Sequence, residues 1–380
     1  MRSDSGDRAG TDTGAGTGSA FVEPDWTTTG VLGSARGARA EAGDPIGAEH
    51  LLAGITDAKG DATEALAFAG VTRAAMLAVL RGRQRPGGAW HSAADAEAGA
   101  APTADAAPTA AGFAADAVDS EAVLGEHGDR GIRYTGAAAR ALTAAAEAAR
   151  QAERRPGKRR ITAELLLRAL LAEESRAAEA VRICGATPEA VLALLDGAEP
   201  VPDEHLDLYL QPTRDALLGL RAYRSLGFVR RWLVAASGVN WAADPLAWIR
   251  REIPDQVMRL GDREEGTEHI LLAVLATHEV AARHPHMAEE GAPRPSGRYA
   301  GGDRLRELGI GYAAARNLLA GQPDLGSDPR PVDRYLQDVL TDSGTGPLVD
   351  SLLRGETRAR RLVEALAGSH GSRPPSGPAR

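Results

Sequence analysis

The chain of 380 residues has a single cysteine, Cys184. It can form no internal disulfide and no cysteine-rich zinc site, and it is compatible with a reducing compartment. Aromatic residues make up 4% of the chain, while Ala is abundant. Small cores of Ala and Leu favour closely packed helices, because Ala is the best helix former and a poor strand former. Basic residues are outnumbered, 44 against 52 acidic, for a net charge of −8. A nucleic-acid partner is disfavoured, because it would require a basic face. No window approaches about 18 uninterrupted apolar residues, so no helical membrane span is expected. Residues 1–20 are rich in Gly, Thr, Asp and Ser and lack the basic-then-apolar order of a secretory signal. The expectation is a cytoplasmic protein with no membrane and no nucleic-acid partner.

What the chain does have is a repeat. Gly47-Ala48-Glu49-His50-Leu51-Leu52, Thr162-Ala163-Glu164-Leu165-Leu166-Leu167 and Gly266-Thr267-Glu268-His269-Ile270-Leu271-Leu272 are versions of one pattern. Glu49 to Gly70 and Glu164 to Gly185 both span 21 positions; Glu268 to Gly309 spans 41. A recurrence at fixed pitch sets the architecture.

Punctuation along the chain gives the units. Residues 1–20 read as a disordered tail. Repeat one (26–81) contains a Gly-weakened helix from Trp26, then Ala48 to Thr56, Asp61 to Ala69, and a helix from the N-cap Thr72 to Leu80. Residues 83–128 read as an Ala/Gly/Pro linker. Repeat two (132–197) opens at Tyr134, with Thr135 capping a long helix to about Glu153. Helices from Thr162 to Ala172 and Glu174 to Ile183 follow, and the last has Thr187 as N-cap and Pro188 at its first position. Repeat three (207–320) is set to begin at Tyr209, because Tyr209 to Leu217 matches the step from Tyr134 to Leu142. This leaves insertions at about 226–258 and 283–302. A degenerate repeat four (330–368) places Gly346-Pro347 where the glutamate motif would stand. Residues 370–380 read as a tail. A four-helix unit cannot bury its apolar face alone, so units pair, one with two (21–197) and three with four (205–369).

These features resemble the N-terminal (Clp R) repeat of the Clp unfoldases. They are the aromatic-Thr start, the long first helix, the Gly-Thr-Glu-His-Leu-Leu-like helix and the glycine turn into a closing helix. The resemblance covers about 26–81, 132–197 and 207–320. It implies an all-α fold of tandem four-helix repeats packed as pseudo-twofold bundles. The chain has no Gly-x-x-x-x-Gly-Lys-Ser/Thr phosphate loop, so the ATPase modules of the unfoldases are missing from it. The implied function is a non-enzymatic peptide- or protein-binding module of the Clp chaperone-protease system, an adaptor or a decoy, with no cofactor. Its partners would be a Clp unfoldase, its adaptors or phosphoarginine-bearing substrates. The resemblance maps the ligand carboxylates onto Glu49, Glu164 and Glu268, with His50 and His269 beside them. The alternative is a structural interaction scaffold that has lost the ligand site. The glutamates would then only complement helix dipoles, and the histidines would pack.

Other candidates have a plainer reading beside the functional one. Trp232, Trp241, Trp248 and Phe228 form either a recognition patch or core. His278, Glu279, His284 and His286 form a loose cluster without the spacing of a zinc helix. Leu226-Gly227-Phe228 matches a peptidase-docking signal of Clp unfoldases but also reads as a helix end. Arg154 to Arg160 forms a basic turn. Cys184 sits at an apolar helix end, where it reads as buried and inert.

Overall fold

A computed structural model describes residues 21–39, 41, 43–85, 90–91, 117–152, 159–200, 206–224, 238–261, 264–288, 297–339 and 344–371. The chain is mostly helical, as its composition predicts, and its few strands are two-residue pairs. No single helix among the described residues is long and apolar enough to cross a membrane.

In the N-terminal half, α1 (Trp26–Gly37), α2 (Ala48–Thr56), α3 (Asp61–Phe68) and α4 (Arg73–Arg83) follow in order. The side chain of Asp25 caps α1, accepting from the Thr28 N–H at 2.6 Å, and Thr72 Oγ1 accepts from the Ala75 N–H at 3.3 Å to cap α4. A short α5 (Ser120–Leu124) precedes α6 (Gly136–Ala152), α7 (Ala163–Leu171), α8 (Arg176–Ile183) and α9 (Pro188–Leu195). Thr162, Ser175 and Thr187 cap the last three by accepting from the N–H three residues on.

The two sets of four helices are tied reciprocally. β1 (Glu23–Pro24), just before α1, pairs in parallel with β4 (Arg160–Ile161), just before α7. Conversely Ile46, just before α2, bridges in parallel to Tyr134 in β3 (Arg133–Tyr134), just before α6. Ile46, Tyr134 and Ile161 are all fully buried. Thr28 Oγ1 adds a buried bond to the Ile161 carbonyl at 2.8 Å. α2 then packs on α8, and α3 on α9.

The linker reading needs correction at both ends. Arg81 to Arg83 continue α4, and residues 118–127 are ordered structure. β2 (Val118–Asp119) pairs antiparallel with β3, α5 follows, and Leu124 enters the core. This short stretch lacks enough apolar residues to show a period.

In the C-terminal half come α10 (Gln211–Leu217), α11 (Pro245–Arg259), α12 (Thr267–Arg283), α13 (Pro285–Ala288), α14 (Ala300–Glu307), α15 (Tyr312–Ala320), α16 (Val332–Gln337), α17 (Gly346–Arg354) and α18 (Arg358–Gly371). The unit assigned to begin at Tyr209 is misplaced. The helix that packs along the Glu268-bearing α12, as α1 does along α2 and α6 along α7, is α11. It lies within the supposed insertion 226–258. Pro254 sits inside it and obscures the helical pattern, since proline lacks the N–H that helix interiors use. α12 packs on α18, and α14 on α17, as α2 does on α8. The halves meet where α13 lies against α4. Gly238 is placed where a Cβ would come within 2.7 Å of Leu77 Cδ1.

The tail 1–20, Arg154 to Lys158, Leu226 to Phe228, Trp232 and residues 372–380 lie outside the described residues.

Candidate functional site

The motif glutamates divide into two kinds. Glu49 sits in the first turn of α2 and is 2% exposed. Its N-cap, Gly47, has no side chain, and a Cβ there would collide with Glu49 Oε2. The carboxylate therefore folds back over the glycine. The Gly47 N–H donates to His50 Nδ1 at 2.9 Å, so the ring, not the acid, satisfies the helix start. Because Nδ1 accepts this N–H, it has no proton to offer Glu49 Oε1, 3.7 Å away. The countercharge comes from Arg176, the first residue of α8, whose Nη1 lies 3.4 Å from Glu49 Oε1.

The C-terminal half repeats this constellation. Glu268 is fully buried, a Cβ on Gly266 would collide with Glu268 Oε2, and the Gly266 N–H donates to His269 Nδ1 at 3.1 Å. Arg358, the first residue of α18, places Nη2 2.6 Å from Glu268 Oε1. Here Asp328 is added. Its Oδ2 accepts from the Thr267 N–H at 2.8 Å, and its Oδ1 accepts from Thr267 Oγ1 at 2.6 Å and from the Arg358 N–H at 2.9 Å. One acid thus sits at the positive ends of two helices.

Glu164 does not belong with these. Its N-cap is Thr162, which caps α7 with its own hydroxyl. The Glu164 carboxylate turns outward and meets Arg168 one turn along at 3.3 Å, with its side chain 47% exposed. The expectation of three equivalent carboxylates is corrected to two buried ones and one surface pair. In the fourth unit Thr345 holds the N-cap position of α17 without capping it by its side chain, its hydroxyl accepting instead from the Gly301 N–H at 2.9 Å, and Pro347 stands where Glu164 does in α7.

Sequence reasoning missed the arginines. They enter from the opposite unit, and their partners lie 127 residues away in the first case. A signal was present: an arginine at the first position of a helix faces the positive end of the dipole, so it needs an acid from elsewhere.

Sequence reasoning also missed a buried polar network around Glu252. Glu252 is fully buried in α11, and its Oε1 accepts from Thr213 Oγ1 (2.7 Å), Gln256 Nε2 (2.8 Å) and Arg259 Nη1 (2.9 Å). Its Oε2 accepts from the Tyr223 hydroxyl at 2.8 Å, which in turn accepts from Trp248 Nε1 at 2.6 Å. Burial raises the Glu252 pKa against the pull of Arg259. The signal was its place on the apolar stripe of Trp248, Ile249 and Ile253.

The remaining candidates take these places. Trp248 is fully buried, and Trp241 meets Tyr223 edge-on at 6.0 Å, so both belong to packing and not to an exposed patch. His278 Nε2 is 2.8 Å from Asp303 Oδ1, and Glu279 Oε1 accepts from the Tyr312 N–H at 2.7 Å. His284 and His286 stack edge-to-face at 6.0 Å. Burial, with His284 adjoining, pushes the His286 pKa down to about 4. Cys184 is buried, and burial pushes its thiol up to about 12, far from a nucleophile's range.

A groove of about 970 Å³ opens between the halves, with Phe68, Leu194, Leu206, Leu210 and Leu220 among its lining. Phe68 and Leu220 are 64% and 45% exposed. Comparison of the chain with protein-family models, curated proteins and solved structures finds no match.

Proposed function

We propose that the chain is a non-enzymatic protein-interaction scaffold built of tandem Clp-N-like four-helix units. In it the motif glutamates close each pair of units and do not hold a ligand. The observation that carries this reading is the repeated pairing of Glu49 with Arg176 and Glu268 with Arg358, in which an internal guanidinium already meets each buried carboxylate. A carboxylate removed from water is stable only with such a partner. Partner proteins then bind surfaces away from the motifs.

A second reading has the chain recognise peptides for the Clp system, delivering clients or sequestering ligands. The apolar groove between the halves favours it, since peptide sites are concave and largely apolar. Calorimetric titration with a phosphoarginine-bearing peptide and with a cyclic-peptide ligand of Clp N-terminal domains separates the two. The scaffold reading expects no saturable heat with either. Micromolar binding that is lost in Glu49→Ala or Glu268→Ala, with the fold intact, would replace it by ligand recognition at the motifs.

A further inference from the structure

We propose that Arg83, Arg176 and Glu179 form a docking cleft for an extended peptide segment with an aromatic side chain. The chain's own Trp90–His91 occupies this cleft in cis.

Glu179 lies in α8 on a face otherwise made of Ala and Val, and it is 9% exposed. Both its oxygens receive the backbone N–H of His91 at 3.0 Å, and Oε1 is 3.1 Å from His91 Nδ1. The Trp90 ring lies against two guanidinium groups, Arg83 at 5.6 Å and Arg176 at 5.9 Å from the centroid. Two cations converge on one aromatic ring because each has its own acid. Arg176 pairs with Glu49, and Arg83 Nη2 is 3.6 Å from Glu179 Oε1. The cleft therefore offers an acceptor for a main-chain N–H beside a cationic wall for a π face. Those are the groups by which an extended strand with one aromatic anchor is read. The His91 side chain is 85% exposed and adds little enclosure.

The C-terminal half shows that this chemistry is not a by-product of the repeat. Four residues past the N-cap of α18, where α8 has Glu179, stands Arg361. Its guanidinium binds carbonyls, those of Leu325, Ser327 and Glu356. The polarity is reversed, so that surface cannot accept an N–H. The acid and the paired arginines occur together in the N-terminal half.

A ligand tethered in cis competes at high effective concentration, so a free peptide binds the intact chain weakly. This inference rests on the scaffold reading only in supplying the chemistry of a partner. Its test uses residues outside the motif glutamates, so either can fail alone. The probe is the blocked peptide Gly-Ala-Trp-His-Ser-Ala, matching residues 88–93, titrated calorimetrically into the full chain. Trp90→Ala and Trp90→Leu should each bind it at least tenfold more tightly than the unmodified chain. Adding Glu179→Gln should abolish the gain, and the same peptide with Ala for Trp should not bind. Circular dichroism confirms the fold of each variant. If folded Trp90→Leu binds no more tightly than the unmodified chain, or if Glu179→Gln leaves the gain unchanged, the cleft is not a docking site.

Discussion

At Gly47 and Gly266 the absent Cβ leaves room for the carboxylate two residues on, and the glutamate turns inward to its arginine. Where Thr162 takes that place, the glutamate turns out to water. Gly266→Ala should therefore destabilise by roughly 1–3 kcal/mol, the usual cost of overpacking. Thr162→Gly should cost only a few tenths, because glycine is a fair N-cap. Urea unfolding measures both. His286 makes a second case at this scale. Its folded pKa of about 4 lies below the unfolded value of 6.5. The unfolded state therefore binds the proton first, and stability is full above pH 6.5. It falls as pH drops from there towards 4, by on the order of 3 kcal/mol in total. Urea midpoints at pH 7 and pH 4.5 should differ more in the unmodified chain than in His286→Gln. Equal differences would remove His286 from the account.

Element by element, the sequence was readable where caps and period agree. Thr72, Thr135 and Thr187 each cap a helix as read, and α2 spans the predicted residues. Readability failed at α11, where Pro254 sits inside the helix and Glu252 lies on its buried face. A matching Tyr-to-Leu step drew the start of that unit to the seven-residue α10 instead. The motif glutamates were legible as a pattern, but their burial and their arginines were not, because those depend on contacts between units. Glu252→Leu tests whether the network fixes α11. It strands Arg259, Thr213 and Tyr223, and should cost about 3–5 kcal/mol by thermal unfolding. A cost under about 1 kcal/mol would show the network to be incidental.

Across the whole molecule, the two constellations do the same thing in each half. In each half a glutamate in the first turn of one helix meets an arginine opening a helix far along the chain, beside reciprocal two-residue strand pairs in the N-terminal half. The proposed scaffold, closed this way, would keep its motif carboxylates engaged and leave its groove and outer faces for partners. The central claim is that these are internal ion pairs. A double-mutant cycle on Glu268 and Arg358 tests it most directly. The account predicts that Glu268→Gln and Arg358→Met each cost about 3 kcal/mol. The double variant should cost little more than either, a coupling of about 2–3 kcal/mol. Single costs below about 0.5 kcal/mol that simply add would contradict it and return the glutamates to the search for a ligand.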